Sequence, residues 1–170
     1  MKKKVSNTFY NLYGKTTLQI IFAITMSIFF LTWSFQRRIT ANSVEKLTDT
    51  WIDYVTVQHD SQKVADLFCQ GGSLVGTVSQ IKRTGKDIKS YFDFFVNLPG
   101  IKVFEKKYEI TKVSNDVYIN TAFITWYWNT LDKPVVARMT FVVKNNCIFQ
   151  LHSSVMPEVN KDLVSISNKK

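Results

Sequence analysis

Val117-Tyr118-Ile119-Asn120-Thr121-Ala122-Phe123-Ile124-Thr125-Trp126-Tyr127-Trp128 is the stretch that decides the fold. Side chains on a strand alternate between two faces. This run therefore sets Ile119, Thr121, Phe123, Thr125 and Tyr127 against Tyr118, Asn120, Ala122, Ile124, Trp126 and Trp128. Its β-branched and aromatic content suits a pleated, half-buried surface. Upstream, Ile101–Val113 is a strand pattern with a charged face, closed by a turn at Asn115-Asp116. Downstream, Asn129–Pro134 is a turn and Val135–Val143 a third strand. Asn145-Asn146 is a tight hairpin, and Cys147–Ser154 is the last strand.

The chain before Gly100 reads differently. Val44, Leu47, Trp51 and Val55 recur at helical spacing, which predicts a helix over about 43–58. Asn42-Ser43-Val44-Glu45 has the form of its capping box. Asp60 or Ser61 starts a second, short helix through Val64, Leu67 and Phe68, ended by Gly71-Gly72. Ser73–Ser79 is a short strand with Val75, Thr77 and Ser79 on one face. Thr84-Gly85-Lys86-Asp87 is a second capping box, followed by a helical stripe of Ile88, Tyr91, Phe92, Phe95 and Val96. Asn97-Leu98-Pro99-Gly100 stops that helix. Helices first and a strand meander after predict an α+β domain, with helices packed on one face of a curved antiparallel sheet. Such a sheet bends into a cone whose mouth is a natural pocket.

The 170 residues allow one ordinary domain. The formal charge is +9, but residues 1–41 carry +6 of it on Lys2, Lys3, Lys4, Lys15, Arg37 and Arg38, with no acid. The remainder is near neutral, so the basicity marks a targeting pattern and no nucleic-acid surface is expected. Between Lys15 and Arg37 lie 21 uncharged residues, mostly apolar from Leu18 to Phe35. As a helix this run spans roughly 30 Å, one hydrocarbon core. Two readings stay open, a retained signal-anchor and a signal peptide cut after Ala41. The basic N-terminal flank places the domain, anchored or exported, on the non-cytoplasmic side. The expected organisation is 1–41 basic segment with the apolar run 18–35, 42–158 domain, and 159–170 polar tail. Cys69 and Cys147 read as two buried free thiols, with pairing outside the cytoplasm as the alternative.

Two histidines, His59 and His152, without a paired-ligand spacing predict no bound metal and no other cofactor. On the last strand, alternation puts Gln150, His152 and Ser154 on one face. Arg138 and Thr140 share a face of the preceding strand, flanked by Val136 and Val142. An arginine so placed usually meets an anion. These polar residues either line a pocket or face solvent.

His152-Ser153-Ser154-Val155-Met156-Pro157-Glu158 resembles the ending of the calcium/calmodulin-dependent protein kinase II association-domain-like family, of the nuclear-transport-factor-2-like superfamily. Within it the chain looks most like the iota-class carbonic anhydrases. Val64-Ala65-Asp66-Leu67-Phe68, Gly76-Thr77-Val78-Ser79, Tyr91-Phe92-Asp93-Phe94-Phe95 and Ala137-Arg138-Met139-Thr140-Phe141 agree, in the right order. The resemblance covers about 47–158. It implies a cone-shaped homodimer whose pocket takes carbon dioxide and bicarbonate without a metal. The matching positions are Thr77, Tyr91 and a serine of the Ser153-Ser154 pair, with His152 and Arg138 as neighbours. The mechanism read from them makes Thr77, Tyr91, His152 and Ser154 catalytic and lets Arg138, Thr140 and Ser153 bind substrate. Gln150-Leu151 stand where the family often has further histidines. The alternative is a non-catalytic, membrane-tethered association domain that oligomerises through its sheet and binds a small acidic ligand.

Overall fold

A computed structural model of the chain describes residues 39–77, 79 and 81–156. The apolar run 18–35 and the tail 159–170 lie outside these residues. Among the described residues no helix is long and apolar enough to cross a membrane.

The elements are α1 (Ala41–Thr56), α2 (Ser61–Asp66), β1 (Phe68–Val75), β2 (Lys82–Thr84), α3 (Lys86–Phe95), β3 (Lys102–Lys112), β4 (Val117–Tyr127), β5 (Val135–Lys144) and β6 (Cys147–Val155). The α+β class is as the sequence predicts. So are the three helices and the four-strand meander, to within a residue or two at most ends. Asn145 and Asn146 both adopt positive φ, as a two-residue hairpin between β5 and β6 requires.

Several local expectations are corrected. Helix α1 is capped by Thr40, whose side chain accepts from the Ser43 amide, while the Ser43 hydroxyl accepts from the Thr40 amide. The box thus lies two residues earlier than Asn42 and Glu45. The Thr84 box is absent, because Thr84 ends strand β2 and Gly85 is the cap residue, without a side-chain bond. Helix α2 stops at Asp66, and Gly71-Gly72 lie inside β1 rather than ending a helix. There they serve a bulge: the β1–β6 register shifts between Phe68 and Ser73. Gly71 takes φ +77°, and a Cβ on Gly72 would stand 2.9 Å from the Cys69 and Ile148 carbonyl oxygens.

The curved sheet has the order β2-β1-β6-β5-β4-β3. Its pairs are antiparallel except β1–β6, which is parallel. The all-antiparallel expectation fails there because β1 and β6 are joined by the whole intervening chain, with no hairpin to set their direction. That pair is also cross-linked. Cys69 and Cys147 form a disulfide, with Cα atoms 5.1 Å apart. The reading of two free thiols is overturned, because the parallel pairing brings the starts of two strands together that are 78 residues apart in sequence.

The core lies on the inner face of the sheet. Strand β4 buries Tyr118, Asn120, Ala122, Ile124 and Trp126, the predicted alternation. Trp51 of α1 is the hub: its ring meets Phe92, Trp126 and Phe141 edge-on at 5.5–5.9 Å. The α3 stripe Ile88, Tyr91, Phe92, Phe95 and Val96 is buried throughout. Polar links fix α1 to the sheet. Buried Asn120 donates to Thr48 Oγ1 at 2.8 Å, and Tyr108 donates to Asp49 at 2.5 Å. Burial, then the Asp49 hydrogen bond, push the Tyr108 phenol above its usual range.

Candidate functional site

The site grows from the short link after β1. Gly76 and Thr77 leave the strand where it passes over α3. A Cβ on Gly76 would lie 2.4 Å from the Tyr91 hydroxyl oxygen and 2.3 Å from the ring, so only glycine lets the phenol approach the backbone here. Tyr91 is buried, stacked on Phe95 at 5.9 Å and edge-on to Phe92 at 5.2 Å. The next residue, Thr77, meets the buried Ser153 of β6: the two hydroxyl oxygens are 2.5 Å apart. Thr77, Tyr91 and Ser153 thus gather on the inner side of the sheet.

The other sequence-predicted residues do not join them. Ile148, Leu151 and Ser153 are the buried positions of β6, and beyond the register shift the alternation of Leu151 and Ser153 turns His152 and Ser154 to the outer face. Arg138 pairs with Ser154 and Thr140 with His152 across β5–β6, so all four share that outer face. The expectation of one mouth lined by all of them is corrected. The period of two that groups Arg138, Thr140, His152 and Ser154 is right, but burial of Ala137, Met139, Leu151 and Ser153 turns that group away from Thr77 and Tyr91. Of the serine pair, Ser153 is the one that meets Thr77. His59, at the end of the α1–α2 link, hydrogen-bonds through Nδ1 to the Val96 carbonyl at 2.7 Å, a structural tie.

Two spaces flank the cluster. Inside, a void of about 10 Å³ is lined by Thr77 and by apolar or aromatic groups including Phe95, Trp126, Trp128 and Met139. It has room for about one water-sized molecule. Outside, an open cleft of about 540 Å³ lies between β2 and α3. Its lining includes Ser79, Lys82, Arg83, Ser90, Tyr91 and Phe94. The Arg83 guanidinium sits over the Tyr91 ring, 4.9 Å from its centroid. Sequence reasoning missed Arg83 because a three-residue strand leaves too short a pattern to read. The approach of Gly76 to Tyr91 had no local signal either. Among the described residues no group of three His, Cys, Asp or Glu side chains converges as a metal site would require.

No family model matches the sequence, and no curated protein matches it. Solved structures do. A protein from Xanthomonas campestris, described as a calcium/calmodulin dependent protein kinase II association domain, is 30% identical, with a TM-score of 0.60. The match covers 71% of this chain and 91% of that one. The chain belongs to this association-domain family. Its fold is that of nuclear-transport-factor-2-like proteins more widely. A Nostoc punctiforme domain with a cystatin-like fold matches at 12% identity and TM-score 0.61, covering 76% of this chain and 86% of that one. A Streptomyces avermitilis protein, described as a dehydratase of the nuclear-transport-factor-2-like family, matches at 11% identity and TM-score 0.60, covering 68% and 95%. At such identities the likeness shows the fold alone. For an association-domain chain, the helices packed on a curved sheet are therefore the shared scaffold, and Thr77, Tyr91 and Ser153 lie together on the inner side of that sheet.

Proposed function

We propose that this association-domain chain is an iota-class carbonic-anhydrase-like protein, hydrating carbon dioxide to bicarbonate around Thr77, Tyr91 and Ser153. The observation that carries the reading is the Thr77–Ser153 hydroxyl pair, held beside Gly76 where the Tyr91 phenol meets the backbone. Hydroxyls so placed can orient a water and the oxygens of the product. The step joins a water oxygen to the carbon of carbon dioxide. One water proton leaves through the Ser153–Thr77 pair to solvent, and bicarbonate departs. The void beside Thr77 is apolar on its other walls, which suits carbon dioxide better than its charged product. Its small volume means that Phe95 or Trp128 must shift to admit substrate. His152 and Ser154, on the far face, have no direct part in this version, and Arg138 and Thr140 hold no substrate.

Stopped-flow hydration of carbon dioxide by the full chain, with and without chelator, tests the proposal. A rate above buffer is expected, and Tyr91→Phe should lower it at least about tenfold while leaving the melting temperature close to wild type. A rate equal to buffer at high protein concentration sinks the enzyme reading.

The second reading is a non-catalytic association domain that forms a homodimer through the outer sheet face. It is favoured by the apolar groups on that face: Val136 is 38% exposed, and Ile119, Phe123, Tyr127 and Val142 are half-buried. The Xanthomonas relative's description as an association domain supports it. In either case we place the domain on the non-cytoplasmic side of a membrane, anchored through 18–35 or exported. The Cys69–Cys147 disulfide supports that placement, since such bonds persist in oxidising compartments.

A further inference from the structure

We propose that Arg83 is the anion-holding residue of this protein, and that the cleft between β2 and α3 takes a small planar oxyanion, a carboxylate or bicarbonate. The sequence assigned that role to Arg138, which faces away from Tyr91. Arg83 lies on the Tyr91 side. It sits over the phenol ring, and it is braced by donating from Nη1 to the Ile81 carbonyl at 3.0 Å and from Nη2 to Ser79 Oγ at 3.2 Å. A guanidinium has five N–H donors, so this bracing leaves others over. A braced, planar fork suits two-point binding of a flat oxyanion.

The charges in the cleft agree. Lys82, Arg83 and Asp87 all line it, yet none of the ion pairs among the described residues involves them. The cationic pair exceeds the single carboxylate, so the cleft keeps a net positive charge without an internal partner. Ser79 and Ser90 add hydroxyl groups at its wall, and exposed Ile81 and Phe94 give it an apolar rim. The volume of about 540 Å³ exceeds what bicarbonate needs and leaves room for a short organic tail against Phe94. The identity of the anion as bicarbonate rests on the hydration reading above; the site itself does not.

The test titrates the full chain with acetate, bicarbonate and the neutral analogue acetamide at constant ionic strength, following tyrosine fluorescence and calorimetry. Saturable binding of acetate and bicarbonate is expected, with none for acetamide. Arg83→Gln should weaken acetate at least about tenfold, Arg83→Lys less, and Lys82→Gln about two- to fivefold. Lys107→Gln, an exposed charge on β3, should leave binding unchanged. The proposal is overturned if wild type shows no saturation, if acetamide matches acetate, or if Arg83→Gln binds acetate as wild type does. If Arg83→Gln does not fold, as judged by circular dichroism, Arg83→Lys and Lys82→Gln take its place, and wild-type acetate binding in both overturns the proposal. Carbon dioxide hydration by the same proteins separates the two ideas. Arg83-dependent acetate binding without hydration keeps this inference and removes the enzyme reading. Hydration that survives Arg83→Gln with unchanged KM, together with wild-type acetate binding by that variant, does the reverse.

Discussion

At the scale of single residues, position 76 shows how little room the site has. The Tyr91 ring occupies the space that any side chain there would need. Gly76→Ala is expected to push the phenol off its seat and to cost about 1–3 kcal/mol, the usual penalty of overpacking. Denaturant unfolding measures the loss, and activity or anion binding should fall with it. Arg138 and Arg83 make the complementary point. Both are arginines on strands, and one-dimensional pattern favours Arg138 because its strand is long and its neighbours are apolar. Burial of Ala137 and Met139 sends Arg138 outward, whereas Leu74–Arg83 pairing across β1–β2 puts Arg83 on the face that carries Tyr91. Tyr91 itself was legible from the stripe of its helix. The choice of Ser153 over Ser154 was not, because either face of β6 could have been the buried one.

At the scale of elements, three carboxylates at helix ends and in the β3–β4 turn are held below their usual range. Asp60 accepts the Lys63 amide hydrogen bond as the cap of α2, which holds its carboxyl below the usual value of 3.8. Asp93 is lowered first by its hydrogen bond from Lys89 and then by Ser61, and Asp116 first by the Ser114 hydroxyl. A carboxylate with a lowered folded pKa stabilises the fold above its unfolded value and loses that contribution as pH falls through the folded one. The melting temperature is therefore expected to drop as pH goes from about 4 towards 2, and Asp93→Asn should flatten part of that drop. Thermal scans across that range check it.

The β1–β6 pair depends on the disulfide in a different way. Closing a loop of 78 residues restricts the unfolded chain and stabilises the fold by about 4 kcal/mol on the chain-entropy account. Reduction, or Cys69→Ser with Cys147→Ser, should lower the denaturant midpoint by a corresponding amount. An unchanged midpoint would mean the parallel pair holds without its cross-link. The helices and the four long strands were legible because each carries its own period. The bulge in β1 was not, since it is set by pairing with β6, distant in sequence, and strand β2 is too short to show a period.

At the scale of the whole molecule, the sheet has one face committed to the core and one left outward. On the outward face Phe123 lies between Lys107 of β3 and Arg138 of β5 in the cross-strand register. If two copies associate through this face, Phe123→Lys should place three cations side by side and weaken the dimer at least about tenfold. Sedimentation measures this, with monomer stability as the control. A dimer that persists unchanged would move the interface elsewhere.

The sequence alone was sufficient for the α+β class, the helix stripes and the long meander, because the periods of 3.6 and 2 are written locally in which residues are apolar. It also carried the family resemblance, which the Xanthomonas relative bears out at the level of the association-domain family. Only the tertiary structure decided which face of β5 and β6 meets the helices, that β1 runs parallel to β6, and that Cys69 and Cys147 therefore pair. Those are relations between residues far apart in sequence, 78 positions for the disulfide, fixed by burying one sheet face rather than the other. The same choice brought Thr77 and Ser153 together beside Tyr91, set Arg83 above it, and left His152 on the other side of the sheet.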